Sequence, residues 1–179
     1  MRIISGSHKG RLVKPPAGLK LRPTTDMARE GLFNILNNIL DYNELYILDL
    51  FSGTGSISYE FASRGATIVH SVELNAKHAS FIAGTARKLE LETIRVYRTD
   101  IRKYLSSSKV TYNLIFADPP YNLEWIDDIP DMVINSACMD THGLFILEHP
   151  GEYNFSNHKY FFQHRKYGSV NFSFFSMPQ

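Results

Sequence analysis

The residues best suited to chemistry are Asp118-Pro119-Pro120-Tyr121. Consecutive prolines fix the backbone and withhold two N–H donors, which leaves carbonyl acceptors beside a carboxylate. A carboxylate and a carbonyl together can accept both hydrogens of an exocyclic amine. The adjacent tyrosine adds a planar face on which a base can stack, an interaction of roughly 1–3 kcal/mol. Read without its surroundings, the same tetrapeptide is a rigid surface turn. A second stretch, Asp49-Leu50-Phe51-Ser52-Gly53-Thr54-Gly55, has two glycines that let a backbone approach a ligand closely, ahead of a helix whose N-terminus points there. The dinucleotide fingerprint requires a third glycine, and Ser58 stands at that position, so alone this stretch reads as a tight turn. Glu73 can accept the two hydroxyls of a ribose, or it can serve as a carboxylate at a helix start. Asp100 can accept from an adenine amine, or it can cap a helix.

What distinguishes these groups is where the chain must put them. Tyr46–Phe51, Thr67–Val72, Ile94–Arg98, Tyr112–Ala117 and Leu144–Leu147 read as strands. Helices are expected over about 26–40, over Ile57–Ser63, and from a cap at Asn75 to about Leu91; Thr24 and Thr25 are suitable caps for the first. Such alternation predicts an α/β fold with an open, mostly parallel sheet covered on both faces. Lys159–Arg165 and Ser169–Ser176 should add an antiparallel hairpin, joined near Tyr167-Gly168. In such sheets ligands bind at the carboxyl ends of the strands. The glycine turn, Glu73, Asp100 and Asp118 each follow a strand. At the N-terminal side, Arg2–Ser5 and Arg11–Lys14 can pair as a small hairpin around Gly6 and Gly10.

The 179 residues suit one domain, and 44% hydrophobic with 21% charged residues is an ordinary globular balance. A single cysteine, Cys138, excludes a disulfide framework or Cys-rich metal site within one chain, and it is expected mid-helix, packed in the core. The histidines show no metal spacing; His8 sits in the basic turn, where it could touch phosphate. Trp125 is expected to pack in the core rather than line a pocket. No apolar run has the length of a membrane span, and a lone cysteine suits a reducing compartment, so a cytoplasmic protein is expected; a domain this small suits a monomer. The net charge of +1 hides a division: residues 1–30 hold seven bases and two acids, while residues 31–150 hold nine bases and fifteen acids. That asymmetry suits either an anionic partner docking near one end or a merely solvated basic arm.

On these residues the chain resembles the class I S-adenosylmethionine-dependent methyltransferases that act on amines. More narrowly, it resembles the RsmD family of bacterial guanine-N2 methyltransferases of small-subunit (16S) ribosomal RNA. The resemblance takes in Arg2–Gly6, Gly10-Arg11, Arg22-Pro23-Thr24, Asp26, Arg29-Glu30 and Leu32–Asn34. It continues through Asp49–Phe51, Gly53, Gly55, Ser63–Ala66, Glu73, Asp118–Tyr121 and Tyr167-Gly168. Met27 and Thr85 depart from the family pattern, and neither is needed for the chemistry. The resemblance implies a seven-stranded Rossmann-like sheet and a single methyltransferase domain over 1–179, with 1–25 as a basic hairpin extension. It implies S-adenosylmethionine bound by Asp49, Phe51, Gly53, Gly55, Glu73 and Asp100, and catalysis by Asp118, Pro119, Pro120 and Tyr121. Arg2, Lys9, Arg11 and Arg22 would grip phosphates of ribosomal RNA, within a small subunit or an assembly intermediate, and no metal is implied.

Two alternatives stand beside this reading. An adenine-N6 methyltransferase shares the Asp-Pro-Pro-Tyr chemistry and differs in substrate. A non-catalytic RNA-binding module would keep the basic arm but has no use for Glu73, Asp100 and Asp118–Tyr121 together. A short-chain dehydrogenase is excluded, because no tyrosine has a lysine four residues later.

Overall fold

The computed structural model describes residues 1–19 and 25–177. Arg22, Pro23 and Thr24, to which the sequence assigns phosphate contact and capping, lie outside the described residues. Helices and strands alternate as α1 (Asp26–Leu36), β1 (Tyr46–Leu50), α2 (Ser56–Ser63), β2 (Ile68–Val72), α3 (Ala76–Lys88) and β3 (Ile94–Tyr97). They continue as α4 (Ile101–Ser107), β4 (Tyr112–Ala117), α5 (Ile129–Ile134), β5 (Met139–His149), β6 (Phe161–Tyr167) and β7 (Val170–Ser176). One seven-stranded sheet runs in the order β3-β2-β1-β4-β5-β7-β6. The strands β3 to β5 are parallel, and β7 pairs antiparallel with both β5 and β6. The strand order reverses between β1 and β4, which is where such a sheet opens a crevice.

Alternate residues of each strand supply two cores. Ile47, Val69, Leu114, Phe116, Ile146 and Phe172 pack under α1, α2 and α3. Leu48, Leu50, Ile115, Phe145 and Leu147 pack under α4 and α5. Thr25 caps α1 by accepting from the Ala28 amide. That helix ends at Leu36, before the expected residue 40, and Asn38 turns its side chain onto the Asn34 carbonyl instead of extending it. The strand β5 is much longer than its apolar run, because pairing with β4 and β7 extends it through polar residues at both ends. Cys138 lies in the turn between α5 and β5, not within a helix, and is fully buried. Burial pushes its thiol up, away from reactivity.

The expected N-terminal hairpin is reduced to one antiparallel bridge, Arg2 with Leu12, closed by hydrogen bonds from Ile3 to Arg11 and from Gly10 to Ile3. It is not a free arm. Glu60 on α2, fully buried, accepts from the Ile4 and Ser5 amides at 2.8 and 3.0 Å and pairs with Arg64 at 2.7 Å. Ser63 accepts from the Ser7 amide through its carbonyl and from the His8 amide through its hydroxyl. Gly6 has φ +80°, and a Cβ there would stand 1.8 Å from the Ser63 carbonyl oxygen, so only glycine permits this approach.

One polar cluster lies in the second core. His70 on β2 shares its Nδ1 with the Tyr112 and Tyr104 hydroxyls at 2.6 and 3.1 Å, while its Nε2 has no hydrogen-bond partner among the described residues. Burial pushes this imidazole down to about 4, with Arg95 adding to the effect. The folded protein thus refuses a proton that the unfolded chain takes up below the ordinary value of 6.5. Stability held by neutral His70 is complete above that value and is lost as pH falls towards 4. Urea denaturation should therefore find the stability gap between the native protein and a His70→Gln variant smaller at pH 4.5 than at pH 7. A gap that stays constant would contradict this assignment.

Candidate active site

A cavity of about 1120 Å³ opens at the carboxyl ends of β1, β2 and β4. Its wall includes Phe51–Thr54 after β1, Glu73–Asn75 after β2, Thr99–Arg102 after β3, Asp118–Tyr121 after β4 and Glu148 near the end of β5. A typical small-molecule site is about 300–1,000 Å³. This one has room for a cofactor and a base together.

The loop after β1 is held in an uncommon shape. Phe51 and Gly53 have φ of 58° and 56°, and Gly55 has 83°. A phenylalanine in the left-handed region carries a strain that surrounding contacts must hold. Here the Ser52 amide donates to the Val72 carbonyl, and the Gly53 amide donates to Glu73 Oε2 at 2.8 Å. The other oxygen of Glu73 accepts from the Asn75 amide at 2.7 Å. Glu73 thus ties the glycine loop to the end of β2. Its carboxylate offers about four lone-pair sites and retains acceptor capacity for hydroxyls.

Asp49 and Gly55 do not line the cavity. Asp49 is buried behind the loop, where Ser58 donates to it and Ser58 also meets Ser71 at 2.6 Å. Burial pushes its carboxyl up to about 7, against hydrogen bonds that lower it. Gly55 is the N-cap of α2, and a Cβ there would reach the Tyr59 ring at 2.8 Å. Both residues shape the loop from beneath. Asp100 lines the cavity and also caps α4, accepting from the Arg102 and Lys103 amides. Its hydrogen bond with the Arg102 side chain holds its carboxyl below the usual carboxylate range.

In the Asp118–Tyr121 segment, the Pro120 carbonyl accepts from the Leu123 amide. Among the described residues, no hydrogen bond takes up the Pro119 carbonyl. The Tyr121 hydroxyl donates to Glu148 Oε1 at 3.3 Å. Trp125, expected in the core, does both jobs: it packs on the α4–α5 core and lines the cavity, with Phe51 at 6.2 Å on one side. The Arg102 guanidinium lies 4.8 Å over its ring.

The basic arm reaches the mouth of this cavity. Met1 lines it, and the buried Arg29 of α1 lines it while donating to the Arg2 carbonyl at 2.7 Å and to Asp26 at 2.8 Å. Arg2, Lys9 and Arg11 are exposed. His8 differs from expectation, because its ring nitrogens bind the Leu89 carbonyl and the Ser7 hydroxyl and so dock the arm. Sequence reasoning missed Arg29 and Glu148 as cavity residues. A helix periodicity that buries an arginine was a signal for the first; for the second there was none before strand register was known. No group of three potential metal ligands occurs among the described residues. No described helix is long and apolar enough to cross a membrane.

Parallel strands reversing between β1 and β4, an antiparallel β7 inserted beside β5, and a cavity at the carboxyl ends of the parallel strands define a class I methyltransferase. A family model described as conserved hypothetical protein 95 matches residues 1–176, and the chain belongs to that family, the RsmD family. YlbH of Bacillus subtilis (strain 168) is 33% identical over 156 residues, 85% of this chain and 84% of that protein. Ribosomal RNA small subunit methyltransferase D of Escherichia coli (strain K12) is 27% identical over 148 residues, 83% of this chain and 74% of that protein. Among solved structures, yhhF from Escherichia coli has the same fold, with a TM-score of 0.86 at 24% identity over 100% of this chain and 99% of that one.

Proposed function

We propose that this protein transfers a methyl group from S-adenosylmethionine to the exocyclic N2 of a guanine in small-subunit ribosomal RNA. The observation that carries this reading is the meeting of Asp118–Tyr121 with the Phe51–Thr54 loop, Glu73 and Asp100 in one cavity. The similarity to ribosomal RNA small subunit methyltransferase D supports the choice of RNA. The residues fit the cofactor: Glu73 would accept its ribose hydroxyls, the Gly53 backbone leaves room beside it, and Asp100 would accept from its adenine amine. When bound, S-adenosylmethionine supplies an electrophilic methyl on a sulfonium. Asp49 and Gly55 act beneath the loop rather than on the ligand.

Guanine N2 is a poor nucleophile because its lone pair is delocalised into the ring. Asp118 and the Pro119 carbonyl accept its two hydrogens and favour a pyramidal nitrogen whose lone pair faces the methyl. Tyr121 stacks on the base, and Pro120 holds the turn. As the new N–C bond forms, positive charge grows on nitrogen beside the Asp118 carboxylate. Positioning of this kind can lower a barrier by about 7–11 kcal/mol. The amine proton then leaves to Asp118 or to water. The base must enter the cavity, so it is flipped out or unpaired.

On this reading one catalytic domain spans 1–179, works as a monomer in the cytoplasm, and uses 1–25 as its RNA arm, with Arg2, Lys9, Arg11 and Arg22 on phosphates. Undermethylated small ribosomal subunits, naked RNA and DNA should be incubated with labelled cofactor and their nucleosides identified by mass spectrometry. N2-methylguanosine is expected; methyladenine instead would overturn the choice of base. A Lys9→Ala/Arg11→Ala variant should flatten the dependence of log affinity for RNA on log salt. The slope should fall by about 0.7 to 0.9 per lost phosphate contact, with cofactor affinity unchanged. An unchanged slope would move the RNA surface elsewhere.

A further inference from the structure

We infer that Glu148 selects guanine, by accepting the ring N1–H that guanine alone among the amino-bearing bases carries beside its amine. The inference rests on guanine being the acceptor, as proposed above. The parallel register of β4 and β5 pairs Ala117 with Leu147. Asp118 directly follows β4 and Glu148 follows Leu147 within β5, so the two residues leave neighbouring strands at the same level, and both line the same cavity. Glu148 is only 3% exposed, and what it does expose belongs to the wall of this cavity. Tyr121, the ring proposed to stack on the base, donates to Glu148 Oε1 and so orients the carboxylate relative to the base plane.

The Watson–Crick edge of guanine presents N1–H and N2–H side by side. Adenine and cytosine present an unprotonated ring nitrogen next to their amines. With N2 at Asp118, the next donor along the edge is N1–H and the next acceptor along the sheet is Glu148. A ring nitrogen with a lone pair would instead set two acceptors against each other, with no proton between them. A site built to take a hydrogen bond rejects a partner that lacks it far more strongly than a hydrophobic pocket rejects a misfit.

The test uses RNA in which the methylated guanosine, identified by mass spectrometry, is replaced by 2-aminopurine riboside. This analogue keeps the C2 amine but has an unprotonated N1. The unaltered protein should prefer guanine in kcat/KM by roughly ten- to a hundredfold. In Glu148→Gln, whose amide can donate to a bare N1, that preference should fall to near parity or reverse. A residue that only anchored Tyr121 would lower both rates together and leave the ratio unchanged, which overturns the inference. A ratio near one for the unaltered protein overturns it without any variant, should Glu148→Gln fail to fold. Identification of a methylated base other than guanosine in that first step would instead remove the underlying choice of guanine, and this inference with it.

Discussion

Replacing Asp118 by alanine should lower methyl transfer by about a hundred- to a thousandfold in kcat, the usual effect of removing one group aimed at developing charge. Its site at the end of β4 explains why the loss should be confined to turnover. The Asp118 amide donates to the Leu50 carbonyl at 3.4 Å, a backbone bond that alanine keeps, and the apolar core lies in the strands behind it. Thermal unfolding of the variant should therefore stay close to that of the native protein. Cofactor affinity, measured by calorimetry, should be kept, since the Gly53 amide of the Phe51–Thr54 loop is held by Glu73. An Asp118→Ala protein that turns over at more than a tenth of the native rate would remove the proposed role. Asp118→Asn separates charge from shape: its amide oxygen can still accept a hydrogen, so a comparable loss would assign the effect to charge.

The second large effect concerns stability. Glu60→Ala should destabilise the fold by about 3–5 kcal/mol, because it leaves one partner of a buried ion pair uncompensated. The Arg64 side chain is only 7% exposed and lies 4.6 Å over the Phe33 ring, so it cannot easily turn to water. The same substitution leaves the Ile4 and Ser5 amides without their acceptor. Because the basic arm hangs from these bonds, RNA affinity should drop with stability while the cofactor cavity persists. Adding Arg64→Ala should recover part of the loss, since the two residues are directly coupled. Chemical denaturation of the two variants decides the matter; a loss below about 1 kcal/mol for Glu60→Ala would mean the arm is held elsewhere.

Much of this architecture is legible in the residues. The apolar runs at β1, β2 and β4 and the caps Asn75 and Thr25 announce themselves locally, as does the succession of Gly53, Glu73, Asp100 and Asp118 after strands. Glu148 was not legible, because it lies beyond the apolar run Leu144–Leu147. It belongs to β5 only through pairing with Phe172 on β7, a contact of long sequence separation. The docking of the arm was hidden for the same reason, since a carboxylate in α2 looks like a solvent-facing residue until the chain from Ile4 to His8 lies against it. Asp49 misled in the opposite sense. Its position in the glycine stretch suggests a ligand contact, but strand alternation turns its side chain inward beneath Ser58.

The position of β7 has a further consequence. It follows β6 in the chain but lies between β6 and β5 in the sheet, so β6 has no place until β7 exists. During synthesis the parallel half can assemble first, with β5 as a bare edge of eleven residues. Such an edge invites pairing with other chains. The cavity is also open at that stage, for Val170, the first residue of β7, forms part of its wall. Completion of the sheet and completion of the cavity wall at Val170 thus both wait on β7.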